Sequence, residues 1–295
     1  MIAKAFAPGH ITGFFEICDG PRDPLRRGSR GAGVNLSLGV LTTVRAQQAA
    51  RQRICIRLNG KASDTTATTT RRAVQELLGR RKLNVHVDSE VQLPVGRGLG
   101  MSAAGALSAS LALAGALGLP HSLHRAAAAA HRAEVLERTG LGDVSGQLRG
   151  GWELRVRPGL PPFGFVDRIL APAVEMAVCV AGRPVPTTAV LSDPAKRRLV
   201  NRAGRRCMAA MLARPTLDRF FGLSYDFARR TGLASQESLM LVEQTRSRGL
   251  GMAGVSMIGN SVFAIGDIRE LKELMKPYGR VFLCRTDLGG AGPVV

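Results

Sequence analysis

Aromatic residues are scarce in this chain: one Trp, two Tyr and ten Phe make up 4% of its 295 residues. Proteins that hold single-stranded nucleic acid stack bases on exposed rings, so the shortage argues against that role. Acidic residues are few as well. Against 41 Lys and Arg stand 22 Asp and Glu, a net charge of +19. Such a field concentrates anions, whether nucleotides, carboxylates or nucleic acid. The basic residues are nevertheless spread along the chain, with only short clusters such as Arg80-Arg81-Lys82 and Lys196-Arg197-Arg198. A nucleic-acid partner is therefore not the expected one.

Cysteine is also limited. Cys18, Cys55, Cys179, Cys207 and Cys284 are odd in number and never form a C-x-x-C pair, which excludes a zinc ribbon and a disulfide framework. The longest apolar stretch, Ala103 to Leu119, is broken by Ser108, Ser110 and glycines. It also falls short of the roughly 20 residues that cross a bilayer, so a buried helix is expected and no membrane partner. The N-terminus lacks an apolar core of signal-peptide length, and the expected location is the cytoplasm. No Gly-Lys-Ser/Thr follows a glycine loop at the Walker A offset. Internal repeats and low-complexity linkers are missing too.

What the chain does have is centred on residues 94–119, PVGRGLGMSAAGALSASLALAGALGL. Ahead of it, apolar Leu83, Val85, Val87, Val91 and Leu93 alternate with polar Asn84, His86, Asp88, Glu90 and Gln92, the period of a half-buried strand. Pro94 ends that strand. Gly96, Gly98 and Gly100 then lead into a small-residue helix. Glycines let backbone approach a ligand, and the free N–H groups of a first helical turn attract anions. A phosphate suits that place; a tight turn before a buried helix is the plainer reading.

The rest of the chain alternates strand and helix signals. Lys4 to Phe6, a Pro8-Gly9 turn and a second strand to Ile17 open it. Residues 19–33 read as a polar glycine-rich loop, in which Gly28-Ser29-Arg30-Gly31 could clamp a carboxylate. Ser122 can cap a helix ending at Gly140, with His131 and Glu134 on one face; taken alone, that pair is ordinary surface polarity. Asp143 follows in a glycine-flanked loop, and Trp152 to Arg157 is a strand with Glu153 and Arg155 opposite Trp152 and Leu154. The turn at 158–162 divides the chain into 1–158 and 159–295. In the second part strands and helices alternate around another glycine loop containing Gly249, Gly251 and Gly254, as in an α+β sandwich.

Phosphoryl transfer from ATP needs a triphosphate cradle, Mg²⁺ and a group to receive or orient the acceptor's proton. The loop from Gly96 to Ser102 can be the cradle, Ser102 and Glu134 can offer oxygens to Mg²⁺, and Asp143 can face an acceptor hydroxyl. Pro94, Gly98, Leu99, Gly100, Ser102 and Ala104 match the P-x-x-x-G-L-G-x-S-x-A motif of the GHMP kinases, which the chain closely resembles over essentially its whole length. The resemblance implies an α+β fold in two parts: a ribosomal-protein-like N-terminal half with a left-handed βαβ unit, and a ferredoxin-like C-terminal half. It places ATP phosphates at Pro94, Gly96, Gly98, Leu99, Gly100, Ser102, Ala103 and Ala104, the metal at Ser102 and Glu134, and the acceptor beside Asp143. The second glycine loop would close near the site, and a homodimer is suggested.

Within the family, APGHITGFFE, GSRGAGVNLSLGV, the His131-x-x-Glu134 helix with GLGDVSGQLRGG, and SMIGN are similar to the archaeal branch that phosphorylates pantoate. Ser29, His131 and Arg155 resemble that branch's acceptor contacts, with Arg155 suited to the carboxylate. Two positions depart from the wider family: His10 stands where mevalonate-type members carry Lys, and Met101 where many carry a first serine. Mevalonate or homoserine as acceptor, and a basic nucleic-acid-binding protein on the same fold, remain the alternatives at this point.

Overall fold

The Pro-Gly pair near the N-terminus does not turn the chain. Residues Ile2–Cys18 form one strand, β1, antiparallel to the still longer β2, Gly28–Gln48. A register shift at Pro8/Gly9 absorbs the proline, which cannot donate to a ladder and is tolerated at such irregularities; a second shift follows at Thr12/Phe14. Gly28 to Gly31, expected in a loop, begin β2 instead. The structure is a computed structural model describing residues 1–181, 190, 192–258 and 260–294, so Gly259 of the SMIGN segment lies outside the described residues.

The remaining elements are β3 (Arg53–Leu58), β4 (Lys61–Ala62), α1 (Thr68–Leu78), β5 (Leu83–Val91), α2 (Met101–Ala116), α3 (Leu123–Leu136), α4 (Asp143–Arg149), β6 (Trp152–Arg157) and β7 (Phe165–Ile169). After them come β8 (Glu175–Ala181), α5 (Pro194–Ala213), α6 (Leu217–Thr231), α7 (Gln236–Ser247), β9 (Gly251–Val255), β10 (Ser261–Gly266), α8 (Ile268–Met275), β11 (Gly279–Arg285) and β12 (Gly292–Val294).

Among the described residues the strands form two sheets. The larger runs β12-β1-β2-β5-β3-β4, with β6 paired to β2 and β7 to β6. Within it β3 and β5 are parallel and joined through α1, a βαβ unit. The smaller runs β11-β8-β10-β9, all antiparallel, the ferredoxin-like arrangement expected of this half. Both β7 and β12 lie beyond the turn at 158–162 yet pair into the larger sheet. A division there into 1–158 and 159–295 would hand both strands to the other half.

Helix α2 is buried on nearly every side, as a helix apolar all round must be. Its small residues let neighbours come close: a Cβ on Gly105 would sit 3.3 Å from Thr70 Oγ1, and one on Gly115 3.4 Å from Ala3. Ser108 does not expose itself; its hydroxyl bonds Thr42 Oγ1 at 2.7 Å. Helix α3 starts where expected, with Ser122 accepting the Arg125 N–H at 3.3 Å. It ends at Leu136, short of Gly140.

Five of the chain's few aromatic side chains gather in one seam. Trp152 of β6 packs edge-on against Phe220 and Phe221 of α6 at 5.5 and 5.6 Å, and Phe14 and Phe263 join the same cluster. The seam joins the two sheets through α6. Among the described residues no helix is long and apolar enough to cross a membrane, and all five cysteines are free.

Candidate active site

The glycine loop after β5 has the backbone that the spacing implies. Gly96, Gly98 and Gly100 take φ of +75°, +74° and +65°, a region that residues with a Cβ rarely enter. Gly100 opens α2 without any side-chain cap, leaving the first-turn N–H groups to a ligand. The loop's carbonyls are tied down one after another. Ser261 Oγ donates to Arg97 O at 2.8 Å, Ser256 Oγ to Gly98 O, the His10 N–H to Leu99 O at 3.0 Å, and Gln147 Nε2 to Gly100 O at 2.9 Å. With the carbonyl dipoles turned to these partners, the amides are left to form a concave anion nest.

Ser256 follows β9 and Ser261 opens β10, so the second half of the chain does reach the loop. The contact comes from these serines and not from Gly249 to Gly254. Gly249 lies just past α7 at φ +67°, and Gly251 and Gly254 are in β9. A Cβ on Gly98 would meet Ile258 O and Ser256 Oγ, each at 2.7 Å. Gly98→Ala is expected to raise the KM for ATP by about tenfold or more through backbone strain and this collision, with the acceptor KM unchanged in steady-state assays.

Across from the loop stands the N-terminus of α4. Asp143 is its first residue rather than part of a loop. Glu134 of α3 is fully buried and caps α4: its carboxylate accepts from the N–H groups of Gly142 at 3.1 Å, Asp143 at 2.9 Å and Val144 at 3.4 Å. Burial, followed by the neighbouring Asp143 charge, pushes its carboxyl up to about 7. His131, one turn earlier, is also buried and donates from Nε2 to Arg27 O at 3.0 Å. Burial pushes it down to about 4, which keeps the ring neutral. This buried pair is therefore not surface polarity.

Asp143 and Glu134 converge on the space over Gly140, where a Cβ would collide with Glu134 Oε1 and lie 2.8 Å from Asp143 Oδ2. Two carboxylates that come together at one backbone position suit a hard divalent cation that keeps several waters. Ser102 is half-buried on the first turn of α2 and makes no side-chain hydrogen bond among the described residues. Gln147, one turn along α4 from Asp143, links the two sides through Gly100.

The expected acceptor contacts Ser29 and Arg155 meet at Gly142. A Cβ there would lie 2.6 Å from Ser29 Oγ and 2.9 Å from Arg155 Nε. That Nε is buried without a hydrogen-bond partner. A donor pair of this kind, one guanidinium edge and one hydroxyl, matches a carboxylate. Pro94, Leu99, Ala103 and Ala104 frame the loop, the last three of them buried.

The sequence reading gave no role to two further charged residues, His10 and Glu153. His10 is fully buried with Nδ1 2.7 Å from Asp143 Oδ1 and Nε2 3.0 Å from Glu153 Oε1. Carboxylates only accept, so both ring nitrogens donate and the ring is an imidazolium. Burial alone would lower its pKa; hydrogen bonds to and charges of Asp143 and Glu153 outweigh that and raise it. Arg155 Nη1 donates to the same Glu153 oxygen, and Nη2 to Thr12 Oγ1 at 3.3 Å. The alternation in β6 correctly puts Glu153 and Arg155 on one face, but that face meets β1 and not water. His10 carried one visible signal, its departure from the Lys of related kinases; Glu153 carried none.

The chain as a whole is similar to known proteins. The family profile described as the GHMP kinases N terminal domain matches residues 65–151. The chain belongs to the GHMP kinases, enzymes that use ATP to phosphorylate an alcohol. Within them it is similar to pantoate kinases: that of Thermococcus kodakarensis is 35% identical over 90% of this chain and 88% of the relative. That of Methanocaldococcus jannaschii is 31% identical over 95% and 98%. A solved structure described as a phosphotransferase related to the CoA biosynthesis pathway superposes with a TM-score of 0.88 at 30% identity, covering 100% of this chain and 99% of the other. Mevalonate diphosphate decarboxylase from Staphylococcus aureus shares the fold, with a TM-score of 0.74 at 15% identity, again covering 100% and 99%.

Proposed function

We propose that the chain transfers the γ-phosphoryl group of ATP to the primary hydroxyl of pantoate, giving 4-phosphopantoate in coenzyme A biosynthesis. The observation that carries the reading is the convergence at one end of α4. Asp143 is partly exposed there, with Arg155 Nε and Ser29 Oγ on one side and the phosphate nest on the other. Pantoate is a small acid with a primary alcohol, and such a molecule needs a carboxylate anchor and a hydroxyl acceptor at opposite ends.

The amides at Gly96, Gly98, Gly100, Ser102, Ala103 and Ala104 hold the triphosphate. Arg155 and Ser29 hold the substrate carboxylate, with the neutral His131 closing the acceptor side beside Glu134. Asp143 receives or orients the hydroxyl proton, a modest demand if the transition state is loose. Ser102 and Glu134 would hold Mg²⁺, which when bound would neutralise charge on the phosphates. A cytoplasmic location, and a homodimer carried over from the family resemblance, are parts of the same proposal.

An ADP-release assay with pantoate, mevalonate and homoserine side by side tests the reading. Turnover is expected with pantoate alone, and chelating Mg²⁺ with EDTA should abolish it. Faster turnover of mevalonate or homoserine would displace pantoate as the substrate; full activity in EDTA would remove the metal.

A further inference from the structure

We infer that Glu153 is a positioning residue that registers the acceptor's carboxylate anchor, Arg155, against the reacting end, Asp143, through His10. The inference rests on the proposed placing of the acceptor between Arg155 and Asp143, and it adds a residue that itself touches neither substrate.

Residues 153 and 155 are two apart on β6, so their side chains share a face. That face points inward: Glu153 and His10 are 0% exposed and Arg155 1%. Four charges follow one another there without interruption. Arg155 donates to Glu153 Oε1, His10 Nε2 donates to the same oxygen at 3.0 Å, and His10 Nδ1 donates to Asp143 Oδ1 at 2.7 Å. The order is cation, anion, cation, anion, and the sum is zero. Glu153 is the only member of the chain that contacts both cations. Arg155 Nη1 and His10 Nε2 come within 3.4 Å of each other, an approach that the shared carboxylate makes tolerable.

A fold has no need of such a group. Apolar residues of similar volume fill a core at least as stably, and a buried charge without its partner is costly. The two ends of this series are also where it is incomplete: one holds a buried donor without a partner, the other a partly exposed carboxylate. Arg155 Nε has no partner and faces Ser29 over Gly142, and the Asp143 side chain is 24% exposed. A carboxylate and a hydroxyl on one small molecule would thus meet groups held at a set separation by Glu153. Small displacements of a positioned group cost much catalytic power.

Glu153→Gln removes the charge and keeps the shape. Its kcat/KM for pantoate is expected to fall by about a hundredfold, shared between a higher pantoate KM and a lower kcat, while the KM for ATP stays within about twofold. Glu153→Asp restores the charge but draws the carboxylate back by one methylene; it should fold and lose about tenfold in the same ratio. The Asp variant decides the matter if the Gln variant does not fold. Unchanged acceptor constants in a folded variant, or an equal loss on ATP, would overturn the role given to Glu153. A wild-type protein that leaves pantoate unphosphorylated in the same assay would instead overturn the proposed function.

Discussion

Asp143→Asn should reduce kcat by about a thousandfold, within the range that a positioned proton acceptor contributes, and leave the fold nearly unchanged. Its backbone role survives the change, because Glu134 accepts the residue-143 N–H whatever the side chain. The amide oxygen can still accept from His10 Nδ1 in place of Oδ1, which lies 2.7 Å away. What disappears is the second carboxylate oxygen, Oδ2, which lies over Gly140 together with Glu134 Oε1. Single-turnover rates at saturating ATP and pantoate measure the loss directly. A variant within a few-fold of wild type would take Asp143 out of the chemistry.

Arg155→Ala should instead be dominated by stability. Removing the guanidinium leaves Glu153, which is 0% exposed, with His10 as its sole cation and an empty volume beside it. Breaking a buried pair from one side costs about 3–5 kcal/mol. Urea unfolding should show that loss as a lower midpoint at unchanged slope. The acceptor role is therefore read from Arg155→Lys, which keeps a charge near Glu153 but loses the Nε donor at Gly142. There the pantoate KM should rise about 10- to 100-fold, as expected for a lost charge-assisted hydrogen bond, with the KM for ATP unaffected. A rise in the ATP constant would place Arg155 at the nucleotide, and an Ala variant as stable as wild type would contradict the buried pairing.

The parts of the site legible beforehand were those whose chemistry is local. Three glycines after an alternating strand specify a loop at positive φ, and Ser122 specifies a helix start, because each depends on neighbours in sequence. Misreadings arose where distant segments decide. Pro8-Gly9 reads as a turn, but pairing with β2 carries the strand through it by a register shift. Gly249 to Gly254 reads as a loop near the site, but pairing of β9 with β10 draws it into a sheet and leaves the contact to Ser256 and Ser261. Alternation around Glu153 says which residues share a face; only the position of β1 says that the face is dry.

One strand belongs to both halves of the molecule. Toward its start β1 lies under α2 and supplies His10 to the site; farther on, Phe15 stacks with Phe227 at 5.6 Å and the Ile17 N–H reaches Asn201 Oδ1 at 2.8 Å. Because the same strand is packed into both, pulling the halves apart would cost the Phe15–Phe227 contact and the Ile17–Asn201 hydrogen bond.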